Sequence, residues 1–167
     1  MPFTPFHFGP GGAIHALAPR HISFIAFAAA NVLVDVEPLY YMLTGQDPLH
    51  RFFHTYVGVT LVIAATVLLF ALARKCAARI LLPNLLRWRE LTLGQVIAGA
   101  AAGGWSHIVL DSIMHADIRP LAPFSQANPL YLVVSIDVLH DFCLGAGATA
   151  LVLLGCRWVL ARTTIRR

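Results

Sequence analysis

Charge is what this 167-residue sequence lacks most. Only 12% of its residues are charged, whereas 58% are hydrophobic, and its mean hydropathy is +0.72. A soluble domain carries about 25% charged residues, so this chain cannot cover a water-facing surface with polar groups. The shortage excludes a disordered chain and argues against an ordinary soluble enzyme. The length suits a single domain over residues 1–167, and the composition predicts an integral membrane protein.

Cysteine is also scarce. The three cysteines form no C-x-x-C pair, and their odd number argues against a disulfide framework. The N-terminus has no basic stretch followed by an apolar run, so we expect no removable signal peptide. The net charge is +4, but in a chain this apolar it indicates membrane topology rather than a nucleic-acid partner.

Four apolar segments are long enough to cross a bilayer, in which a helix needs about 20 residues. We predict helices at 22–43, 56–73, 93–116 and 135–161. Residues 1–20 are rich in proline and glycine, so no long regular element is expected there. The predicted fold class is therefore all-α, a polytopic membrane bundle of about four transmembrane helices.

Basic residues lie on one side of such a bundle. If both termini are cytoplasmic, only Arg51 and Arg119 of the twelve basic residues fall on the outer side. The positive-inside rule therefore predicts two cytoplasmic termini. The two outer arginines are candidates for binding a phosphate, which fits a guanidinium group, or for anchoring at the lipid headgroups.

Histidine and carboxylate residues gather near the predicted outer ends of all four helices. Ionisable side chains inside a membrane are costly and are usually functional or paired. Several are spaced four residues apart, which places them on one helix face, and imidazole with carboxylate suits zinc and related divalent ions. The set is Asp35, Glu37, His50, His54, His107, Asp111, His115, Asp137, His140 and Asp141.

Some of these residues also have ordinary structural explanations. His115 lies one turn beyond Asp111 and could support a ligand rather than be one. Asp137 could simply cap the fourth helix. We keep His115, Asp137, His140 and Asp141 as candidates for supporting the site or contacting the substrate.

The order of the motifs resembles the membrane-bound metal-dependent hydrolases, some of which are described as LexA-binding inner-membrane hydrolases. The resemblance covers roughly residues 1 to 130, including the opening Pro-Phe-Thr element that ends at His7. It rests on Asp35-Val36-Glu37-Pro38, on His50-Arg51-x-x-His54, on Gly104-Trp105-Ser106-His107-x-x-x-Asp111, and on Pro120 and Pro123.

The resemblance implies a metal site and a bacterial inner (cytoplasmic) membrane location. Asp35 and Glu37 would be the catalytic residues, with Glu37 as an extra ligand or a general base. The metal ligands would be His7, Asp35, His50, His54, His107 and Asp111. A cytoplasmic N-terminus would place His7 away from the others, so residues 1–20 fold back into the bundle, or helix one is broken, or His7 is not a ligand.

The expected function is hydrolysis of a lipid or lipid-linked ester or phosphoester by a metal-activated water, with one or two divalent ions, most readily zinc. The expected partners are the lipid bilayer and that substrate, and the oligomeric state stays open. Two alternatives are metal- or proton-coupled transport and metal binding without catalysis. Transport would need polar residues through the whole membrane depth, whereas these lie on one side.

Overall fold

The computed structural model describes residues 5–77, 79 and 83–165, so Pro2–Thr4 of the opening motif, Arg166 and Arg167 lie outside it. The described residues form helices and no strand, which confirms the all-α prediction. Short 3₁₀ turns cover Pro5–His7, Phe52–His54 and Leu85–Glu90. The five helices are α1 (Phe8–Leu17), α2 (Phe24–Leu43), α3 (Tyr56–Cys76), α4 (Leu93–Met114) and α5 (Ile136–Ile165).

Helices α2 to α5 are long and apolar enough to cross a membrane, which confirms a bundle of four candidate spans in the described part of the chain. Large apolar side chains of α5, such as Leu151 and Leu160, are mostly exposed, as expected for a surface that faces lipid. The bounds differ from prediction mainly at the ends. Helix α3 continues to Cys76, because Arg74 and Lys75 in its last turn complement the helix dipole.

Helix α1 corrects the expectation that residues 1–20 contain no regular element. Its ten residues include Gly9, Pro10 and Gly11. Proline is tolerated in the first turn of a helix because its missing N–H would be unpaired there. The glycines allow close packing: a Cβ at Gly9 would clash with the Cys143 carbonyl group of α5, and one at Gly11 with the Phe27 ring of α2.

The core of the bundle is the contact between α2 and α4. A Cβ at Gly99 would clash with the carbonyl oxygen of Ser23, and one at Gly103 with that of Phe27. The two backbones therefore touch, as small residues permit in membrane helices. The close approach at Gly99 and Gly103 fixes the position of α4 relative to α2.

The bundle has a basic end and a histidine end. At the basic end, Arg74 near the end of α3 donates a hydrogen bond to Leu91 just before α4, at 3.0 Å. At the histidine end, His7 contacts His107 in the second half of α4, and Phe6 stacks on His140 near the start of α5. The first described residues thus lie at the opposite end from the last residues of α5, and the placement of both termini on the cytoplasmic side stays a prediction.

Candidate metal centre

Four buried side chains converge at the histidine end. Asp35 comes from the middle of α2, His54 from the turn before α3, and His107 and Asp111 from α4. Each is at most 5% exposed, and one ligand atom from each lies within 4.8 Å of the others. We call these residues the four-residue group.

The distances within this group suit one ion. The Nε2 atom of His107 lies 3.1 Å from Asp111 Oδ2 and 3.3 Å from Asp35 Oδ1. The Nε2 atom of His54 lies 3.5 Å from Asp111 Oδ2 and 4.0 Å from Asp35 Oδ1. Ligands bound about 2.0–2.1 Å from a tetrahedral zinc ion lie about 3.3 Å apart, so the donor set and its spacing fit such an ion.

Asn31 orients the His107 ring. Its amide nitrogen donates to the Phe27 carbonyl oxygen at 2.9 Å, which leaves its Oδ1 as an acceptor 3.1 Å from His107 Nδ1. This network assigns the imidazole proton to Nδ1. The lone pair of Nε2 therefore faces the two carboxylates, and metal-binding histidines are commonly oriented by such a second hydrogen bond.

Glu37 lies behind His54 rather than within the group. Its Oε2 accepts hydrogen bonds from the backbone N–H groups of Phe53, at 2.8 Å, and Arg51, at 3.2 Å. The same oxygen lies 3.8 Å from His54 Nδ1, on the ring edge opposite Nε2. Glu37 thus supports His54 and its turn and does not lie among the ligand atoms, where the motif resemblance would place it as an extra ligand; its role as a general base stays a prediction.

Several atoms of this centre lack hydrogen-bond partners. Buried polar atoms in proteins are nearly always hydrogen-bonded. Within the described residues, no well-aligned hydrogen bond is formed by His54 Nδ1 and Nε2, His107 Nε2, Asp111 Oδ1 or His7 Nε2, although the last two atoms lie only 3.0 Å apart. Lone pairs and carboxylate oxygens gathered in this way repel one another unless a cation lies between them. The unpartnered atoms thus favour a metal ion over a purely structural polar cluster.

A second group, formed by His50, Asp111 and His115, shares Asp111 with the first. His50 Nδ1 lies 2.9 Å from Asp117 Oδ2, and the His50 and His115 rings are 4.5 Å apart. Burial and the nearby His54 lower the pKa of His50, and burial lowers the pKa of His115. Both rings are therefore held in the neutral form that metal ligation requires.

His50 and His54 do not share a helix turn, contrary to the spacing argument. Thr55 caps α3 by accepting a hydrogen bond from Gly58 N at 2.9 Å, so the helix begins only after His54. The intervening 3₁₀ turn still brings the two rings into edge contact, with centroids 4.6 Å apart, although His54 belongs to the four-residue group and His50 to the second group. His115, expected as a supporting residue, is instead a candidate ligand, and Asp117 supports His50 through a hydrogen bond to its ring.

His7 does reach the centre. Its Nε2 lies 3.0 Å from Asp111 Oδ1, and its Nδ1 lies 3.1 Å from His107 Nδ1. Of the three possibilities open at the sequence level, the structure has residues 5–17 folded back into the bundle. His7 lies beside the four-residue group and contacts two of its members.

The polar start of α5 does not join the site. Asp137 and Asp141 are exposed, and His140 stacks on Phe6 with ring centroids 4.3 Å apart. These residues were predicted to face the centre, but α5 packs mainly on α1, so its first turns lie at the edge. Sequence reasoning also missed Asn31, although its position four residues before Asp35 places it on the same helix face.

Comparisons with protein-family models, with curated proteins and with solved structures found no match for this chain. The hydrolase resemblance therefore rests on the motifs alone.

Proposed function

We propose that this protein is a membrane-embedded, metal-dependent hydrolase that acts on a lipid or lipid-linked ester or phosphoester. The observation that carries the proposal is the pair of buried histidine–carboxylate groups that share Asp111. In this proposal they hold one or two divalent ions, most readily zinc, whose ligand preferences the residues match. A bacterial inner-membrane location is part of the same proposal and follows from the motif resemblance.

The two groups differ in how many ligands they offer. The first supplies four residues, whereas His50, Asp111 and His115 supply three, and catalytic metal sites keep one coordination position for water or substrate. A divalent ion held there would lower the pKa of a water molecule and polarise the scissile bond. The chain's own residues position two of the imidazoles, that of His107 through Asn31 and that of His50 through Asp117.

Transport is less well supported. The described ionisable residues that are buried all lie at the histidine end: His7, Asp35, His50, His54, His107 and Asp111. Nearer the basic end, the Thr66 hydroxyl donates to its own helix at Val62 O, and Ser23 caps α2. A transport path needs polar groups through the whole depth, and the described residues do not supply them.

The test is the metal content of the purified protein in detergent, measured by elemental analysis. We expect near-stoichiometric divalent metal in the wild type and its loss in His54→Ala and His107→Ala. The matched control is His21→Ala, because His21 is exposed, and this variant should retain the metal. No metal above background in the wild type would refute the proposal. Metal without turnover in a screen of lipid esters and phosphoesters would leave a non-catalytic metal-binding protein.

A further inference from the structure

A cavity of about 480 Å³ opens over His50 at the histidine end. Its wall includes His50 and Asp117, and it is also lined by Arg51, Arg119 and Gln126. Arg51 and Arg119 are the two basic residues that the sequence places outside the basic end. The same cavity is thus lined by two arginines and by His50, a member of the second candidate ligand group.

The Arg51 side chain is held in place by its own loop. Its Nε donates to the Pro48 carbonyl oxygen at 2.9 Å, and its Nη2 donates to that of Asp47 at 3.2 Å. Its guanidinium carbon also lies 3.7 Å from the centroid of the Tyr41 ring. Because a guanidinium carries five N–H donors, three remain without a hydrogen bond among the described residues.

Arg119 is fixed in a similar way. Its Nη1 donates to the carbonyl oxygens of Ala116, at 2.6 Å, and Ile118, at 2.9 Å. Its Nε and Nη2 donors have no partner among residues 5–77, 79 and 83–165. A headgroup anchor is normally a flexible side chain that reaches outward, whereas both of these guanidiniums are tied to backbone carbonyls and present a fixed set of donors.

The charge of the cavity favours an anion. The lining contains two arginines and one carboxylate, that of Asp117, which accepts hydrogen bonds from the His50 ring and from its backbone N–H. The lining therefore has a surplus of one positive charge, and planar guanidiniums match the oxygens of a phosphate.

We propose that Arg51 and Arg119 form a binding subsite for the phosphate group of the substrate. The inference rests on the proposed hydrolase function and narrows its substrate class to phosphate-bearing compounds. A phosphate held there lies against His50, beside the second ligand group. The same chemistry is offered by a lipid headgroup and by a free phosphate, and the experiment separates these two sources.

The experiment measures inorganic phosphate binding to the full chain in detergent by calorimetry. We expect saturable binding that weakens about 10- to 100-fold in Arg51→Gln and in Arg119→Gln, as charge-assisted hydrogen bonds are lost. Arg162→Gln is the matched control, because Arg162 stacks on Trp158 near the basic end and should bind phosphate like the wild type. Metal content and melting temperature are measured on the same samples.

Equal phosphate affinity in the wild type and in both cavity variants overturns the inference, as does the absence of saturable binding. If Arg51→Gln fails to fold, the exposed Arg119 decides the matter alone. Competition by phosphatidic acid in nanodiscs, but not by glycerol phosphate, assigns the site to a lipid headgroup, and the reverse assigns it to a soluble phosphate. A wild type without metal refutes the hydrolase proposal, while the arginine dependence of phosphate binding still tests the subsite.

Discussion

Glu37 offers the sharpest test of how the centre is built. The structure places its carboxylate behind His54 and hydrogen-bonds it to two backbone N–H groups. In Glu37→Gln, an amide oxygen can still accept those bonds, but the negative charge 3.8 Å from His54 Nδ1 is lost. In Glu37→Ala, both the charge and the acceptor are lost. The two variants therefore distinguish the effect of the Glu37 charge on His54 from the effect of its hydrogen bonds on the backbone of the turn.

The expected magnitudes differ for the two variants. Removing a carboxylate that orients a metal-bound histidine lowers metal affinity about 10- to 100-fold, or about 1.4–2.8 kcal/mol, so we expect this loss in Glu37→Gln with little change in melting temperature. In Glu37→Ala, each backbone N–H left unsatisfied costs about a further 1–3 kcal/mol of folding stability. The melting temperature of that variant should fall clearly.

The assay is competition for zinc against a chromophoric chelator, combined with thermal unfolding in the same detergent. Glu90→Gln is the matched control, because Glu90 is exposed and pairs with Arg87 far from the centre. It should leave both measurements unchanged.

One result would refute the reasoning directly. If Glu37→Gln kept wild-type zinc affinity but lost turnover, Glu37 would act on the substrate as a general base, as the motif resemblance implied. If it altered neither quantity, the contact with His54 would have no role in the centre.

Two further predictions each have a matched control. His7→Ala should lower zinc affinity by about 10- to 100-fold, because it removes a contact to Asp111, whereas a chelator titration of Asp141→Asn should match the wild type, since Asp141 is exposed. Gly103→Ala should destabilise the protein by about 1–3 kcal/mol in thermal unfolding, because its Cβ would meet the Phe27 backbone. Gly145→Ala, whose Cβ has nothing within 4 Å, should be neutral or slightly stabilising, and equal effects at both glycines would contradict the packing argument.

The membrane bundle could be predicted from sequence because hydropathy depends only on local composition. The spans fell within a few residues of the observed helices for the same reason. Helix α1 was missed because glycine and proline normally signal turns. At Gly9 and Gly11 the missing Cβ serves tertiary contacts to α5 and α2 instead, and no local pattern encodes such contacts.

The sequence predicted most residues of the candidate site, but not how they divide into two ligand groups. Four-residue spacing correctly placed His107 and Asp111 together on α4. His50 and His54 do not share a helix turn, because the Thr55 cap delays the start of α3, but their rings still lie 4.6 Å apart. The four-residue spacing failed for Asp137 and Asp141. Long-range packing decides which face of α5 meets the bundle, and α1 contributes most to that packing.

The packing of α1 also has a consequence for the order of assembly. Helix α1 is about 15 Å long, half the thickness of the bilayer core, and it packs against α5, where a Cβ at Gly9 would meet the Cys143 carbonyl group. Helix α1 is synthesised before α5, so it cannot complete this packing until α5 has inserted. Because His7 directly precedes α1, the surroundings of Asp111 are complete only after α5 has inserted. In a chain truncated before α5, the surroundings of Asp111 would stay incomplete.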